Sequence, residues 1–315
     1  MGLSLNGKQL KILACVFMLT DHVGAAIFET AHLTVKYPWA NTANQILRGV
    51  GRLALPIYIF LLIEGFVYTK NRVRYGLSLL LLALISEIPF DLCFYRVLTF
   101  NHQNTIFMLL IGYVTIWGMH LCLKQKNWHT AFQYLKYPSA FLSAFYIAFS
   151  LFFKTEIRST IKTLSGFLGH EIDAFAYTQA YRYASFAIGL LAVIVLFFIL
   201  RKKTNDEACS ILYAFSLAGL GVFAGDMARV DYLGYGVLAV VLAYVFRFNY
   251  ARRTLVMAIP LTLHAYDGLI SFFTVAFTDG YTGTRGNIRH KYLFYIFYPA
   301  HIMVLMTVRM VVFKI

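Results

Sequence analysis

The residues of this chain that could do chemistry are ionisable side chains set inside long apolar runs. They occur in pairs that are adjacent or one helical turn apart: Asp21 and His22, Arg48 and Arg52, Glu87 and Asp91. A charged side chain at mid-membrane costs about 2.5–3.5 kcal/mol even on insertion-based scales, so a chain that keeps many of them is expected to use them. The chemistry that these types favour is proton transfer by an imidazole beside carboxylates and cations.

Other ionisable residues fall at a similar depth further along the chain: Asp226, Asp231, His264, Asp267 and His301. With a rise of about 1.5 Å per helical residue, the whole set converges on the half of the membrane that lies away from the N-terminus. For any single pair, the alternative is an ion bridge that only locks two helices together. The histidines lack a paired ligand spacing such as HExxH, so we expect no metal.

The composition explains where these residues must lie. Apolar residues make up 60% of the chain and charged residues 13%, against roughly 45–50% and about 25% in soluble domains. A soluble fold is therefore excluded, and an all-α, polytopic helix bundle forming one domain over 1–315 is expected. Runs close to the ~20 residues needed to cross a bilayer predict about ten transmembrane helices, at 9–29, 44–69, 75–96, 104–123, 138–154, 183–200, 208–226, 231–247, 254–277 and 291–313.

The joints between these runs set the expected topology. Most basic residues fall in joints on the N-terminal side, including 70–74, 124–129, 201–207 and 251–253, so we place both termini in the cytoplasm. The loop 279–291 is then expected on the outer side. The net charge of +14 follows from this asymmetry, and with no recognisable nucleic-acid module we expect no nucleic-acid partner.

Soluble-enzyme motifs are absent from the sequence: there is no GxSxG elbow, Walker loop or GxGxxG after a strand. Five ordered motifs nevertheless look familiar. They are TDH at 20–22, GRLALPIYIFLLIEGFVYTKNRVRY at 51–75, SEIPFDL at 86–92, DYLGYGVL at 231–238 and KYLFYIFYPAHI at 291–302. Together they resemble the TraX family, the conjugal-transfer proteins tied to N-terminal acetylation of F-type pilin, with the 124–205 region unmatched.

The resemblance implies a function and a location. TraX-like proteins are similar to the wider group of transmembrane acyltransferases, in which an intramembrane histidine near the first helices is the base and acyl-CoA approaches from the cytoplasm. It therefore implies a multi-pass protein of the bacterial inner membrane that transfers an acyl group, most simply acetyl, from acetyl-CoA or a longer acyl-CoA. The acceptor would be an amine or hydroxyl on a pilin N-terminus, a glycan or a small molecule.

Carried over by position, the resemblance points to His22 of the TDH motif as the base. The other motif residues expected to line the site are Arg52, Glu64, Glu87, Asp91, Asp231, Lys291 and Tyr298.

A mechanism for such a site requires a base, oxyanion donors and a phosphate-binding region. We expect Asp21 or a carboxylate of the third helix to orient His22, and Arg52 or Arg48 to stabilise the developing negative charge. Basic joints would attract the phosphates of CoA, through Lys70, Arg72, Arg74, Arg252 and Arg253. The same joints also satisfy the positive-inside rule, so topology alone would explain them.

A proton-coupled small-molecule transporter is the alternative function. In that case Asp21, Glu87 and Asp91 would relay protons across the bundle. Inverted repeats would favour a transporter, and the two halves of the sequence show none.

Overall fold

Apolar helices dominate the structure, a computed structural model that describes residues 3–153, 162, 165, 166, 169, 174–200, 203–287 and 292–313. The first helices are α1 (Gly7–Val23), a π-helical turn (Gly24–Glu29), α2 (Leu33–Lys36), α3 (Pro38–Gly51), α4 (Ala54–Tyr68), α5 (Arg72–Phe94), α6 (Thr105–Lys124) and α7 (Thr130–Phe153). The later ones are α8 (Ala174–Leu200), α9 (Asn205–Met227), α10 (Leu233–Val245), α11 (Tyr250–His264), a 3-10 helix (Tyr266–Thr274), α12 (Val275–Thr278) and α13 (Tyr292–Phe313).

Six of these helical segments are long and apolar enough to cross a membrane, which agrees with the predicted all-α, multi-pass membrane class. They are Gly7–Glu29, Pro38–Tyr68, Arg72–Phe94, Thr105–Lys124, Asn205–Met227 and Tyr292–Phe313. The predicted count of about ten is not confirmed over the described residues, where several predicted spans are shorter helices such as Leu233–Val245.

Local signals in the sequence start the helices where the structure has them. Asn6 caps α1 by accepting from the backbone N–H groups of Lys8 and Gln9, and the Asn6 N–H donates in turn to the Gln9 side-chain oxygen. Thr204 and Glu207 form the same reciprocal box at the start of α9. Each box satisfies backbone donors that the first turn of a helix leaves unpaired.

Residues 250–281 form a re-entrant hairpin and not a crossing helix. The Thr254 and Thr278 hydroxyls, near the two ends of the hairpin, lie 2.7 Å apart, and the rings of Tyr250 and Tyr281 are 5.5 Å apart. The 15 residues of α11 rise only about 22 Å, short of the ~30 Å of hydrocarbon. The prediction of one spanning helix over 254–277 is therefore wrong: a mean hydropathy cannot distinguish one long pass from two short legs.

The loop after this hairpin lies beside the N-terminus. The Leu5 N–H donates to the Gly280 carbonyl at 3.0 Å, and the Thr282 N–H donates to the Leu5 carbonyl at 2.9 Å. We call this end of the bundle the N-terminal side and the opposite end the far side. The prediction that the loop 279–291 lies on the outer side, away from the N-terminus, is therefore wrong for the described residues 279–287.

Helix α13 consequently runs parallel to α1. Near the start of both helices, Lys11 Nζ lies 5.7 Å from the centre of the Phe294 ring. Towards the other end, Arg309 Nη1 donates to the carbonyl of Cys93, at the far end of α5. The described chain therefore ends on the far side, and the prediction that both termini share one side is wrong, because the hairpin does not cross.

Close packing joins the α3–α4 junction to α1. A Cβ added at Gly51 would lie only 2.3 Å from the Cβ of Asp21, so only glycine allows this approach without a shift. Gly24 in the π-helical turn is equally tight, with the Asn44 side-chain oxygen 2.7 Å from an added Cβ. These contacts bring the ionisable residues of α1 and α3 within reach of each other.

The orientation of the chain ends can be tested by cysteine labelling. In a background without Cys15, Cys93, Cys122 and Cys209, we expect the variants Thr282→Cys and Val312→Cys to react with a membrane-impermeant maleimide from opposite sides of sealed vesicles. Both positions are exposed in the structure. Labelling of both from the same side would contradict the re-entrant hairpin, and Leu3→Cys, which should follow Thr282→Cys, is the matched control.

Candidate active site

A cavity of about 510 Å³ runs along α1 from the N-terminal side into the bundle. Its mouth is lined by Lys11, Arg285, Tyr68 and Tyr281, and its deep end by His22, Thr105, Asp231, Tyr232 and Tyr298. Lys11 and His22 are 11 residues apart on one helix, which corresponds to roughly 16 Å of depth. The cavity therefore joins a cationic mouth to the ionisable cluster.

Helices α1 and α13 bring two imidazoles together, and one of them, His22, lines the deep end of the cavity. His22 Nδ1 lies 2.6 Å from His301 Nε2, and His301 Nδ1 lies 2.6 Å from the carbonyl oxygen of Phe297, one turn earlier in α13. The two imidazole rings are parallel within 2° and lie side by side with their centres 4.9 Å apart, as a hydrogen bond in the plane of both rings requires.

The backbone carbonyl fixes the direction of this hydrogen-bond chain. Because a carbonyl only accepts, His301 must carry its proton on Nδ1 when neutral, and its Nε2 must accept. His22 Nδ1 is then the donor to His301, and His22 Nε2 is the unprotonated nitrogen. The arrangement thus sets the tautomer of His22 in which Nε2 can take a proton.

Arg52 lies behind the cavity wall and acts on it through Tyr232. Its Nε donates to Asp267 and its Nη1 donates to the Tyr232 hydroxyl, both at 2.8 Å. Since that hydroxyl oxygen accepts from the guanidinium, its own O–H remains available as a donor. Tyr232 itself lines the cavity.

Asp21 contacts an arginine and not His22. Arg48 Nη1 lies 2.6 Å from Asp21 Oδ2, and Arg48 Nε lies 3.3 Å from Glu29. Arg52 pairs with Asp267 and Arg48 with Asp21 and Glu29, whereas Glu87 and Asp91 bind other groups. The expected orienting partner of His22 is replaced in the structure by His301.

Asp231 connects the deep end of the cavity to the far side. Its Oδ2 accepts from the Thr105 hydroxyl at 2.5 Å, and its Oδ1 lies 3.8 Å from His102 Nε2 in the loop before α6. The contact with Asp231 raises the pKa of His102. Burial alone would raise the pKa of Asp231, but the nearby His102 imidazole and the hydrogen bond from Thr105 outweigh it and lower that pKa to about 2.

Glu87 and Asp91 organise the far-side loop and do not line the cavity. Glu87 Oε2 accepts from the Asn104 backbone N–H at 3.1 Å and from its side-chain amide at 2.5 Å. Asp91 Oδ2 accepts from the Thr99 N–H at 2.8 Å. Of the predicted site residues, the cavity brings together His22, Glu64, Asp231 and Tyr298.

The predicted phosphate-binding residues lie outside the cavity. Lys70, Arg74 and Arg252 are exposed, Arg72 packs over the Phe66 ring at 4.8 Å, and Arg253 is fully buried with its Nη1 2.7 Å from Glu64 Oε1. Lys291 lies outside the described residues.

Sequence reasoning missed four residues that the structure brings to the site or behind it: Lys11, Tyr232, Asp267 as the partner of Arg52, and Arg285. Arg285 was missed because its loop was assigned to the other side. Lys11, near the start of the first apolar run, carried only a topology signal.

Comparison with known proteins finds a family match in the N-terminal half of the chain. The family model of the TraX protein matches residues 6–156. A relative named probable fimbrial assembly protein FimC, serogroup H1, from Dichelobacter nodosus, is 33% identical over 89 residues. That match covers 28% of this chain and 32% of the relative, so the chain spans about a third of that protein's length. No solved structure matches. The resemblance to the TraX family is thereby confirmed over residues 6–156, which include His22, Arg48 and Arg52.

Proposed function

We propose that this chain is an acyltransferase of the bacterial inner membrane that moves an acyl group, most simply acetyl, from acyl-CoA to an amine or hydroxyl. One observation carries the proposal: a single cavity connects cations at its mouth, Lys11 and Arg285, to the unprotonated nitrogen of His22. A thioester that enters from the N-terminal side, here the cytoplasmic side, would meet the cations with its phosphates and the imidazole with its reactive carbonyl.

The dimensions of the cavity fit the donor. The arm between the phosphates and the sulfur of CoA is about as long as four extended residues, roughly 14 Å, and the helical distance from Lys11 to His22 is roughly 16 Å. Apolar side chains such as Leu55, Leu62 and Leu79 share the walls with tyrosines. Such a surface suits an arm with a gem-dimethyl group and two amides.

The chemistry follows from the imidazole chain. His22 Nε2 takes the proton of the acceptor N–H or O–H as the acceptor atom bonds to the thioester carbonyl carbon. When the C–S bond breaks, the same nitrogen returns that proton to the departing sulfur. His301 holds the ring in the required tautomer and stabilises the imidazolium between these two steps, by accepting from Nδ1.

Tyrosine hydroxyls are the donors that we assign to the developing oxyanion. Tyr232 and Tyr298 both line the deep end, and the Tyr298 ring meets His22 edge-on with ring centres 6.0 Å apart. Arg52 polarises the Tyr232 hydroxyl by donating to its oxygen, which makes that O–H a stronger donor. Arg52 is thus a positioning residue that supports Tyr232.

The family association with pilin acetylation makes a pilin N-terminus one candidate acceptor, beside a glycan or a small molecule. The name of the Dichelobacter nodosus relative, a fimbrial assembly protein, also supports a pilin as the acceptor.

The transporter alternative has less support from the geometry. Asp21, Glu87 and Asp91 each bind a different partner, respectively Arg48, Asn104 and the Thr99 N–H, and do not form a continuous chain in the described residues. A thiol-release assay separates the two functions, because a transporter would not liberate CoA from acetyl-CoA.

Replacing the base gives the first test of the mechanism. In purified protein, we expect His22→Ala to lower the rate of CoA release from acetyl-CoA by about 10²-fold or more, since it removes the nitrogen that takes the acceptor proton. Binding of acetyl-CoA, followed by the shift in melting temperature, should remain, because the imidazole does not hold the nucleotide.

Asp21→Asn is the matched comparison one residue away. It weakens the Arg48 ion pair and should lower the melting temperature while leaving the turnover per folded molecule close to that of the wild type. Wild-type turnover in His22→Ala would remove His22 from the mechanism.

Replacement of His301 is expected to change kcat and the pH–rate profile. His301→Phe removes the acceptor of the His22 Nδ1 proton, so we expect kcat to fall roughly ten- to a hundredfold with little change in KM for acetyl-CoA. The pH–rate profile should also shift, because the tautomer and basicity of His22 are no longer set by its partner. An unchanged profile with an unchanged kcat would show that the pair is only structural.

The location of the phosphate site can be tested with paired substitutions. We expect Lys11→Gln and Arg285→Gln each to raise KM for acetyl-CoA by about tenfold without lowering kcat, because each removes a cation from the mouth. Lys70→Gln and Arg252→Gln are the matched controls, being exposed cations on the same side that lie outside the cavity. A rise in KM for Lys70→Gln and Arg252→Gln, with no change for Lys11→Gln and Arg285→Gln, would instead place the phosphate site at the basic joints predicted from the sequence.

A further inference from the structure

A second group of cations lies on the N-terminal side of the bundle, outside the cavity wall. Arg72 begins α5, Lys124 ends α6, and Arg247 lies just after α10. The positive charges of all three act on one side chain, the His120 imidazole near the end of α6. We call Arg72, His120, Lys124 and Arg247 the basic cluster.

Aromatic rings hold the basic cluster in place between α4, α5, α6 and α10. The centre of the Phe66 ring lies 4.8 Å from Cζ of Arg72 and 5.5 Å from the centre of the His120 ring. His120 Nδ1 lies 3.0 Å from the Tyr244 hydroxyl, and the centre of the Tyr244 ring lies 4.3 Å from Cζ of Arg247. The two arginines are thus connected through three packed rings, and their positions are set by the fold.

The charge of the basic cluster is not neutralised by carboxylates in the described part of the chain. The charged groups that act on His120 are cations. The ion pairs among the described residues use other basic side chains, namely Arg48, Arg52, His102 and Arg253. Like charges held close together repel each other, and an anion between them removes that repulsion. The basic cluster is therefore suited to an anionic ligand.

The positive-inside rule accounts for basic residues on this side but not for their packing. Lys70 and Arg252 lie on the same side and are exposed, which is all that the rule requires. Arg72 and Arg247 are only partly exposed and pack on aromatic rings. A guanidinium that packs on an aromatic face keeps the N–H groups at its edge available for a phosphate. The packing therefore favours a phosphate group as the anion.

Exposed apolar side chains beside the basic cluster indicate where the phosphate comes from. The centre of the Phe248 ring lies 4.2 Å from Cζ of Arg247, and Phe248 is 85% exposed. Leu121, which follows His120, is also exposed. At the end of an apolar helix such side chains contact lipid, and basic pockets between membrane helices at this level bind lipid head groups. A free phosphate would gain nothing from the apolar surface.

We propose that the basic cluster binds the phosphate of an anionic phospholipid, such as phosphatidylglycerol, in the leaflet on the N-terminal side. The phosphate accepts hydrogen bonds from the guanidinium groups of Arg72 and Arg247 and is attracted by Lys124. The acyl chains of the lipid lie along the exposed apolar side chains. This site is separate from the cavity and does not depend on acyl transfer.

Native mass spectrometry of the purified protein in detergent, with added phosphatidylglycerol, tests the site. We expect Arg72→Gln/Arg247→Gln to weaken binding roughly 25-fold, because each cation near a lipid phosphate contributes about fivefold in affinity. The matched control Lys70→Gln/Arg252→Gln removes two exposed cations from the same side and should change binding less than about twofold. Equal losses in the two double variants would attribute binding to net charge and overturn the proposal.

A single variant covers the case in which the double variant fails to fold. Lys124 is exposed, so Lys124→Gln leaves the aromatic packing intact and should weaken the binding of phosphatidylglycerol about fivefold. Unchanged affinity in Lys124→Gln would overturn the proposal.

Thermal stability separates the possible sources of the phosphate. Phosphatidylglycerol should raise the melting temperature of the wild type, whereas phosphatidylcholine or inorganic phosphate at the same concentration should not. An equal rise with inorganic phosphate would assign the site to a free phosphate and overturn the lipid.

Acetyl-CoA provides the remaining comparison. The rise in melting temperature that it causes should be the same in the wild type and in Arg72→Gln/Arg247→Gln. Loss of that rise in the variant alone would assign the basic cluster to the phosphates of CoA and overturn the lipid site. Absence of the rise in the wild type would contradict the proposed function and leave the result with phosphatidylglycerol to decide the lipid site.

Discussion

The ion pair between Arg52 and Asp267 is the interaction on which the architecture of the cavity depends. It ties the tip of the re-entrant hairpin to the α3–α4 junction, across 215 residues of sequence. With its tip held there, the hairpin returns to the N-terminal side, where residues 280–284 pair with residues 5–7. Arg285 thereby reaches the mouth of the cavity, and the same arginine that holds the tip also holds the Tyr232 hydroxyl.

Every buried arginine discussed above has an acceptor, as an apolar environment requires. Arg48 meets Asp21, Arg253 meets Glu64, and Arg309 meets a backbone carbonyl. Because these partners come from different helices, the charges also fix which helices are neighbours. The pair of Glu64 and Arg253, for example, joins α4 to α11 in the wall of the cavity.

The two ends of the cavity differ in electrostatic character, which gives the site a direction. Lys11 and Arg285 make the mouth cationic, whereas Asp231 and His22, which bonds to His301, lie at the deep end. An anionic molecule is drawn to the mouth by this asymmetry. On the far side, His102 is partly exposed and lies 3.8 Å from Asp231.

The sequence by itself determined the class of the protein and the depth of its polar cluster. Hydropathy and helical rise are local properties, so they correctly indicated membrane helices and placed His22 and His301 at a similar depth. The partners and the path of the chain were decided only by the tertiary structure. Whether 254–277 crosses the membrane depends on Asp267 meeting Arg52, and no local pattern encodes that contact. The same long-range contact moved the loop that contains Arg285 to the N-terminal side, so the cationic mouth could not be read from charge spacing along the chain.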